Sequence, residues 1–253
     1  MRAADLAMIR TTGDDDVPLT TVRALLANGS FLVMAPHPDD ESLACGALLA
    51  ASFAGQAEDG RGHVVCLTDG AHSHPGSRLV PPEQLARIRR RELETAINIL
   101  GGKATDVTWL GASDGNLAAA PEIVDHVTRV ARDHRVGLLL APSPLDPHCD
   151  HVAGAALGRA VAAKIEGVRL GFYPVWSRWH GGGRAPVPQG MRAVRLPPGQ
   201  FAPTKAAAIA AHESQRGLVV PDAPDGFEMP HGFAQFFAER DEIYFFDNAE
   251  AQP

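Results

Sequence analysis

Between residues 30 and 176 the chain alternates between short apolar runs and longer stretches whose apolar positions recur every three or four residues. The short runs are SFLVMAP (30–36), GHVVCLTDG (62–70), DVTWLGA (106–112), VGLLLAPSP (136–144) and VRLGFYPVW (168–176). Near-continuous apolar character bounded by Gly, Pro and Asp predicts strands buried on both faces. The stretches between them predict helices over 41–55, 82–102, 121–134 and 151–165. In the second, Leu85, Ile88, Leu93, Ile97 and Leu100 form one stripe, and Gly101 and Gly102 stop it. In the third, Pro121 takes the first helical position ahead of Ile123, Val127 and Val130.

This strand–helix alternation predicts an α/β fold, a Rossmann-like three-layer α/β/α arrangement with a mostly parallel sheet. Past residue 180 the pattern loosens: 181–190, 196–200 and 219–232 read as loops, PTKAAAIAAHESQ (203–215) as a helix and EIYFFD (242–247) as a last strand. No repeat or composition break divides the chain. One domain is expected over 1–253, with 1–28 as an N-terminal extension and 180–253 as its variable C-terminal part.

Composition narrows the class. With 45% hydrophobic and 21% charged residues the chain can build a sizeable core, and a net charge of −7 argues against nucleic acid. The basic cluster RIRRR (87–91) runs into Glu92 and Glu94 and reads mostly as a solvated helix face. Three cysteines without a CxxC spacing predict no disulfide framework and a reducing compartment. MRAADLAMIRTTGDDD has no apolar core of signal-peptide length, and no apolar run reaches the ~18 residues of a membrane span. A cytoplasmic protein is expected.

The unusual chemistry gathers where strands end. HPDDE (37–41), TDGAHSHPGS (68–77), SDGN (113–116) and SPLDPHCDH (143–151) follow the first four strands, the edge at which parallel sheets bind ligands. In HPDD, His37 and Asp40 stand three apart across a proline, a pairing that suits a divalent metal. The same residues also fit a helix start, with Asp39 or Asp40 as cap and Glu41 meeting the dipole. His148 and His151 repeat the spacing at a second strand end. Two such clusters on one parallel sheet point to a shared metal site.

The paired motifs resemble those of the LmbE-like, or PIG-L-type, zinc-dependent N-deacetylases. That family's AHPDDE is here PHPDDE (36–41), and its HPDH is here HCDH (148–151). RxxEL is matched by Arg89–Leu93, an acid after the third strand by Asp114, and a K…SQ pattern by Lys205 and Ser214–Gln215. The resemblance covers roughly 30–215 and weakens beyond 160. It implies removal of an N-acyl group, most often acetyl, from an amino-sugar-containing small molecule or glycoconjugate. It also implies that His37, Asp40 and His151 are metal ligands, that Asp39 is the general base, and that His148 polarises the carbonyl or protonates the amine. Asp150 would orient His148, while Arg89 and Asp114 would contact substrate. Zn2+ is the implied cofactor, with Fe2+ or another divalent ion also compatible with the ligand set.

The residue types are chemically coherent. Three protein ligands leave one zinc position open for water, whose pKa can fall to about 7. Asp39 adjoins a ligand and His148 lies one turn before another, places suited to proton transfer and oxyanion stabilisation. Cys149, between two site histidines, is expected to point away and pack, the alternatives being an extra ligand or an oxidation-sensitive switch. His72, His74 and Arg78 stand open between substrate contact and loop solvation, and His212 between site wall and surface. Trp176 and Trp179 are expected to end the fifth strand and to pack in the core or a lid, the alternative being stacking on a sugar face. Two rivals remain: a thiol-conjugate amidase or a deacylase of natural-product or surface-glycan assembly, and a non-catalytic sugar- or nucleotide-binding module. The second would want a glycine-rich phosphate loop where HPDDES stands.

Overall fold

The computed structural model describes residues 11–27, 29–56 and 60–249. Part of the expected N-terminal extension (1–10 and 28) therefore lies outside the described residues. The chain order is β1 (Thr11–Thr12), α1 (Val22–Leu25), β2 (Ser30–Ala35), α2 (Asp40–Phe53), β3 (Gly62–Thr68), α3 (Pro82–Ile99), β4 (Val107–Ala112), α4 (Pro121–Asp133) and β5 (Val136–Pro142). It continues with α5 (Cys149–Ala162), β6 (Arg169–Tyr173), α6 (Trp176–His180), β7 (Ala185–Pro186), β8 (Met191–Leu196), α7 (Ala202–Ala210), α8 (Phe233–Glu239) and β9 (Glu242–Asp247).

Seven strands form one sheet in the order β4-β3-β2-β5-β6-β9-β8. The first five are mutually parallel, whereas β9 pairs antiparallel with both β6 and β8. Period two sorts the side chains. Phe31, Val33 and Ala35 of β2 join one core with α2, α3, α7 and α8. Leu32 and Met34 join a second core with α4 and α5 on the opposite face. The protein is thus an α/β fold with a mostly parallel sheet between two helical layers. Because β2 lies between β3 and β5, the chain winds outward both ways from this pair, creating a crevice beyond their carboxyl ends.

Local sequence explains the helices flanking that crevice. Pro82 and Pro121 open α3 and α4, and Gly55 (φ 76°) lets the chain leave α2. On α5, a Cβ on Gly158 would lie 2.8 Å from Ala141 Cβ, so glycine permits the close approach to β5.

Three expectations need correction. β6 stops at Tyr173, and Trp176 and Trp179 lie on α6 rather than ending a strand. The helix expected over 203–215 ends at Ala210. His212 (ψ 61°) turns the chain into a short 3-10 segment, Glu213–Arg216, where Glu92 binds Ser214 N–H and Oγ at 2.7 and 2.6 Å. The loop-like C-terminal part also holds β7, β8 and α8, elements too short or too charged for their apolar period to stand out. No described helix is long and apolar enough to cross a membrane.

Candidate active site

The turn from β2 into α2 carries the first cluster. Thr68 on β3 anchors it, donating its N–H and Oγ1 to Pro36 O at 3.0 and 2.8 Å. Asp39 has φ 148°, a region that costs a non-glycine residue about 1–3 kcal/mol and marks functional sites. Its surroundings hold it there. Glu41 Oε2 accepts the Asp39 N–H at 3.0 Å, and Arg89 Nη2 donates to Pro38 O at 2.9 Å while lying 3.5 Å from the Asp39 carboxylate. Asp39 occupies the cap position of α2 but makes no side-chain cap bond, so the simple capping role does not explain it.

The second cluster meets the first from the adjacent strand. Asp40 Oδ2 lies 3.4 Å from His37 Nδ1 and 3.4 Å from His151 Nε2. His37, His148 and His151 each bring a ring nitrogen within 4.8 Å of the others. The far nitrogens of the two ligand candidates are braced by acids: His37 Nε2 is 3.1 Å from Asp150 and 3.3 Å from Asp114, and His151 Nδ1 is 2.9 Å from Asp146. Carboxylates at this outer position orient metal-ligating histidines. His151 Nε2 is buried with no hydrogen-bond partner. An orphaned imidazole nitrogen beside a carboxylate and a second imidazole fits a divalent cation.

Electrostatics agree. Burial opposes a proton on His37, but Asp114, Asp150 and Asp40 outweigh it and hold the pKa well above the usual imidazole value. Burial likewise opposes a proton on His151, yet Asp40 and Asp146 push its pKa to about 9. Burial would raise Asp40, but His151 and His37 hold it well below the carboxylate range. The cluster therefore attracts positive charge strongly, and a cation would compete with these protons. Asp39 is pushed up to about 6 by burial and by Asp40, against the pull of Arg89.

His148 caps α5. Its Nδ1 accepts the Asp150 N–H at 3.2 Å, which leaves the neutral ring's proton on Nε2. Burial and the charges of His37 and His151 lower its pKa, favouring the neutral form. Asp150 thus meets the expected partner His148 through its N–H, whereas the Asp150 carboxylate points elsewhere. It accepts from Gly115 N (2.7 Å) and Leu117 N (3.0 Å) and faces His37, because the β4 loop supplies two amides on that side. Cys149 is also corrected: it is exposed rather than packed, and its Sγ, His148 and Asp150 offer atoms within 4.8 Å of one another. At the first turn of α5 the side chain has no core to enter.

A cavity of about 260 Å³ opens over the cluster, and His37, Asp39, Asp40, Arg89, Asp114 and His148 line it. Arg89 is largely committed within the protein, to Gly70 O (3.0 Å) and Pro38 O. Asp114 accepts the His72 N–H at 2.7 Å, and the His72 Nδ1 meets Asp114 O at 2.8 Å. Of the residues left open by the sequence, His72 lines the cavity, while His74, Arg78 and His212 do not. His212 is buried behind the site, 3.2 Å from Glu41. Sequence reasoning assigned no role to Asp146, although it lies within the same acidic stretch as His148. It also missed Phe227 and Phe233 of the cavity wall, and placed packing ahead of sugar stacking for Trp176, which lines the cavity.

The fold and these clusters define an α/β protein with a candidate metal centre at the switch point of its sheet. The chain matches the family described as PIG-L, GlcNAc-PI de-N-acetylase, over residues 32–162. That span is just over half of the chain, and the chain belongs to this family. No curated protein matches it significantly. Among solved structures it is similar to N,N'-diacetylchitobiose deacetylase from Pyrococcus horikoshii, at 24% identity and TM-score 0.56 over 77% of this chain and 73% of that one. It is similar to the conserved protein TT1542 from Thermus thermophilus, at 26% identity and TM-score 0.58 over 87% and 95%. It is also similar to the A40926 pseudoaglycone deacetylase Dbv21, at 20% identity and TM-score 0.64 over 89% and 100%.

Proposed function

We propose that the protein is a divalent-metal-dependent hydrolase that removes an N-acyl group, acetyl in the simplest case, from an amino-sugar-containing small molecule. The observation that carries this reading is the single Asp40 oxygen 3.4 Å from both His37 and His151, with the His151 nitrogen buried and otherwise unpartnered. His37, Asp40 and His151 would hold the ion. Zn2+ fits this donor set, and Fe2+ is compatible. A bound ion would supply Lewis acidity toward a carbonyl and toward water, whose pKa can then fall to about 7.

The remaining work falls to the protein's own side chains. Asp39 takes a proton from the attacking water and passes it to the departing amine nitrogen, so that amide and water give acid and amine. The neutral His148 ring donates from Nε2 to the carbonyl oxygen as negative charge develops there. Its lowered pKa supports this hydrogen-bonding role over that of a cationic acid. Asp114, His72 and the edge of Arg89 face the cavity where sugar hydroxyls would lie. Membership in the PIG-L family and the deacetylase names of two structural relatives support the reaction class. Three unpaired cysteines suit a cytoplasmic location.

The test is acetate release from N-acetylglucosamine derivatives by metal-loaded protein, beside metal analysis. Asp39→Asn is expected to keep the metal and lose turnover by about 10²–10⁴-fold. An active Asp39→Asn variant removes Asp39 as the base. Absence of bound metal in the wild type removes the whole reading.

A further inference from the structure

His212 is fully buried, lies behind the cavity and not in its wall, and has no role in the proposed chemistry. Resting on the N-deacylase reading, we propose that His212 is a positioning residue: it holds the Glu41 carboxylate, and through it the peptide that aims the general base Asp39. Glu41 is itself buried, and neighbouring protein groups use both of its oxygens. Oε2 accepts the Asp39 N–H at 3.0 Å. Oε1 accepts the Ser42 hydroxyl at 2.6 Å and faces His212 Nε2 at 3.2 Å. A carboxylate accepts, so Nε2 is the donor in this pair.

The Pro38–Asp39 peptide shows what this arrangement achieves. Its carbonyl accepts from Arg89 Nη2 at 2.9 Å and its N–H donates to Glu41, so the peptide plane is clamped from both sides. The orientation of that plane sets φ of Asp39 at 148°, a value that a residue with a side chain keeps only under outside constraint. Asp39 O accepts the N–H groups of Ser42 and Leu43 at 3.1 and 3.0 Å. The helix thus fixes one half of the residue and the clamp the other, and together they aim its carboxylate. The clamp depends on Glu41 folding back over the first turn of α2, which its second oxygen secures. Ser42 belongs to the same turn and moves with it. His212 comes from beyond the end of α7, and the 3-10 segment after it is bound to α3 through Glu92 and Ser214, at 2.7 and 2.6 Å. His212 therefore ties the base to a part of the fold outside α2. Its Nδ1 is buried with no hydrogen-bond partner among the described residues. An apolar side chain would avoid that cost, so the bond from Nε2 to Glu41 is what the imidazole provides here.

The experiment measures acetate release from N-acetylglucosamine and its methyl glycoside by metal-loaded protein. His212→Leu should lower kcat by about 10–100-fold, with KM within about threefold of wild type and metal content unchanged. His212→Gln, whose amide nitrogen can stand where Nε2 does, should recover kcat to within about threefold. In a Glu41→Met background, which lacks the clamp, His212→Leu should cost less than about threefold more. A His212→Leu kcat within about twofold of wild type, equal losses in both backgrounds, or loss of metal overturns the proposal. Should His212→Leu fail to fold, His212→Asn, with an amide too short to reach Glu41, takes its place. Amide exchange at Asp39, read by NMR on the same metal-loaded protein, tests the clamp without turnover. Protection there should fall at least about tenfold in His212→Leu while β5 amides keep theirs, and unchanged protection at Asp39 overturns the proposal. Absence of turnover by wild type would instead sink the deacylase reading.

Discussion

Asp146→Asn tests the outer support of the metal centre. The carboxylate is buried and serves as a hub: Oδ2 accepts from His151 Nδ1 (2.9 Å), Val175 N (2.9 Å) and Trp176 N (3.2 Å). Oδ1 accepts from Ser177 N (2.9 Å) and from the Ser177 hydroxyl. Asparagine keeps the shape but turns one oxygen into a donor. The cheaper orientation leaves the amide oxygen on His151 and sets the NH2 against the Ser177 N–H, stranding a buried donor at about 1–3 kcal/mol. Loss of charge assistance on the remaining bonds adds a comparable amount, for a total of about 3 kcal/mol or more. For a chain of this size that lowers the melting midpoint by about 6–12 °C. Weaker orientation of His151 should also cost about 10–100-fold in metal affinity. Thermal unfolding in chelator reads the first effect, and competition against a chromophoric chelator reads the second. An affinity within twofold of wild type would confine Asp146 to a structural role and refute the reasoning.

Other outcomes are equally specific. His37→Ala and His151→Ala should each strip the metal, and full metal content in both variants would leave the site without support. Cys149→Ser should leave metal content and turnover unchanged, because the thiol is exposed and outside the cavity; loss of metal would make it a ligand. His63 stands apart from the site, its pKa lowered to about 4 by burial and by His134 stacked at 3.8 Å. Its neutral form is native, so the unfolded chain takes up this proton near pH 6.5 while the folded one resists until about 4. Stability therefore falls as pH drops from 6.5 to 4, by at most about 3 kcal/mol from this residue. Urea unfolding of metal-free protein at pH 7 and 4.5 should show a smaller loss for His63→Gln, and an equal loss would exclude His63 as a source.

The elements between residues 30 and 165 were legible because apolar period is local: a buried strand or an amphipathic helix advertises itself within about ten residues. The motifs at 37–40 and 148–151 were legible for a similar reason, since each places histidine and acid three apart at a strand end. Neighbours were harder. The partner of Asp150 depended on the β4 loop offering Gly115 and Leu117 amides, and Arg89 turned inward because Pro38 and Gly70 carbonyls stood within reach. The C-terminal elements hid because Arg192 and Arg195, three apart, break the two-residue period of β8 and α8 spans only two turns.

The amino-acid order alone thus determined a parallel α/β architecture and two acid–histidine clusters at its binding edge. Only the tertiary structure decided that β2 and β5 lie side by side, which carries His37 and Asp40 to His151. It alone also turned Trp176, Phe227 and Phe233 into one wall. The physical reason is range. Hydrogen-bond period and helix propensity act between near neighbours, whereas strand adjacency and pocket shape follow from which buried surfaces, far apart in sequence, pack together.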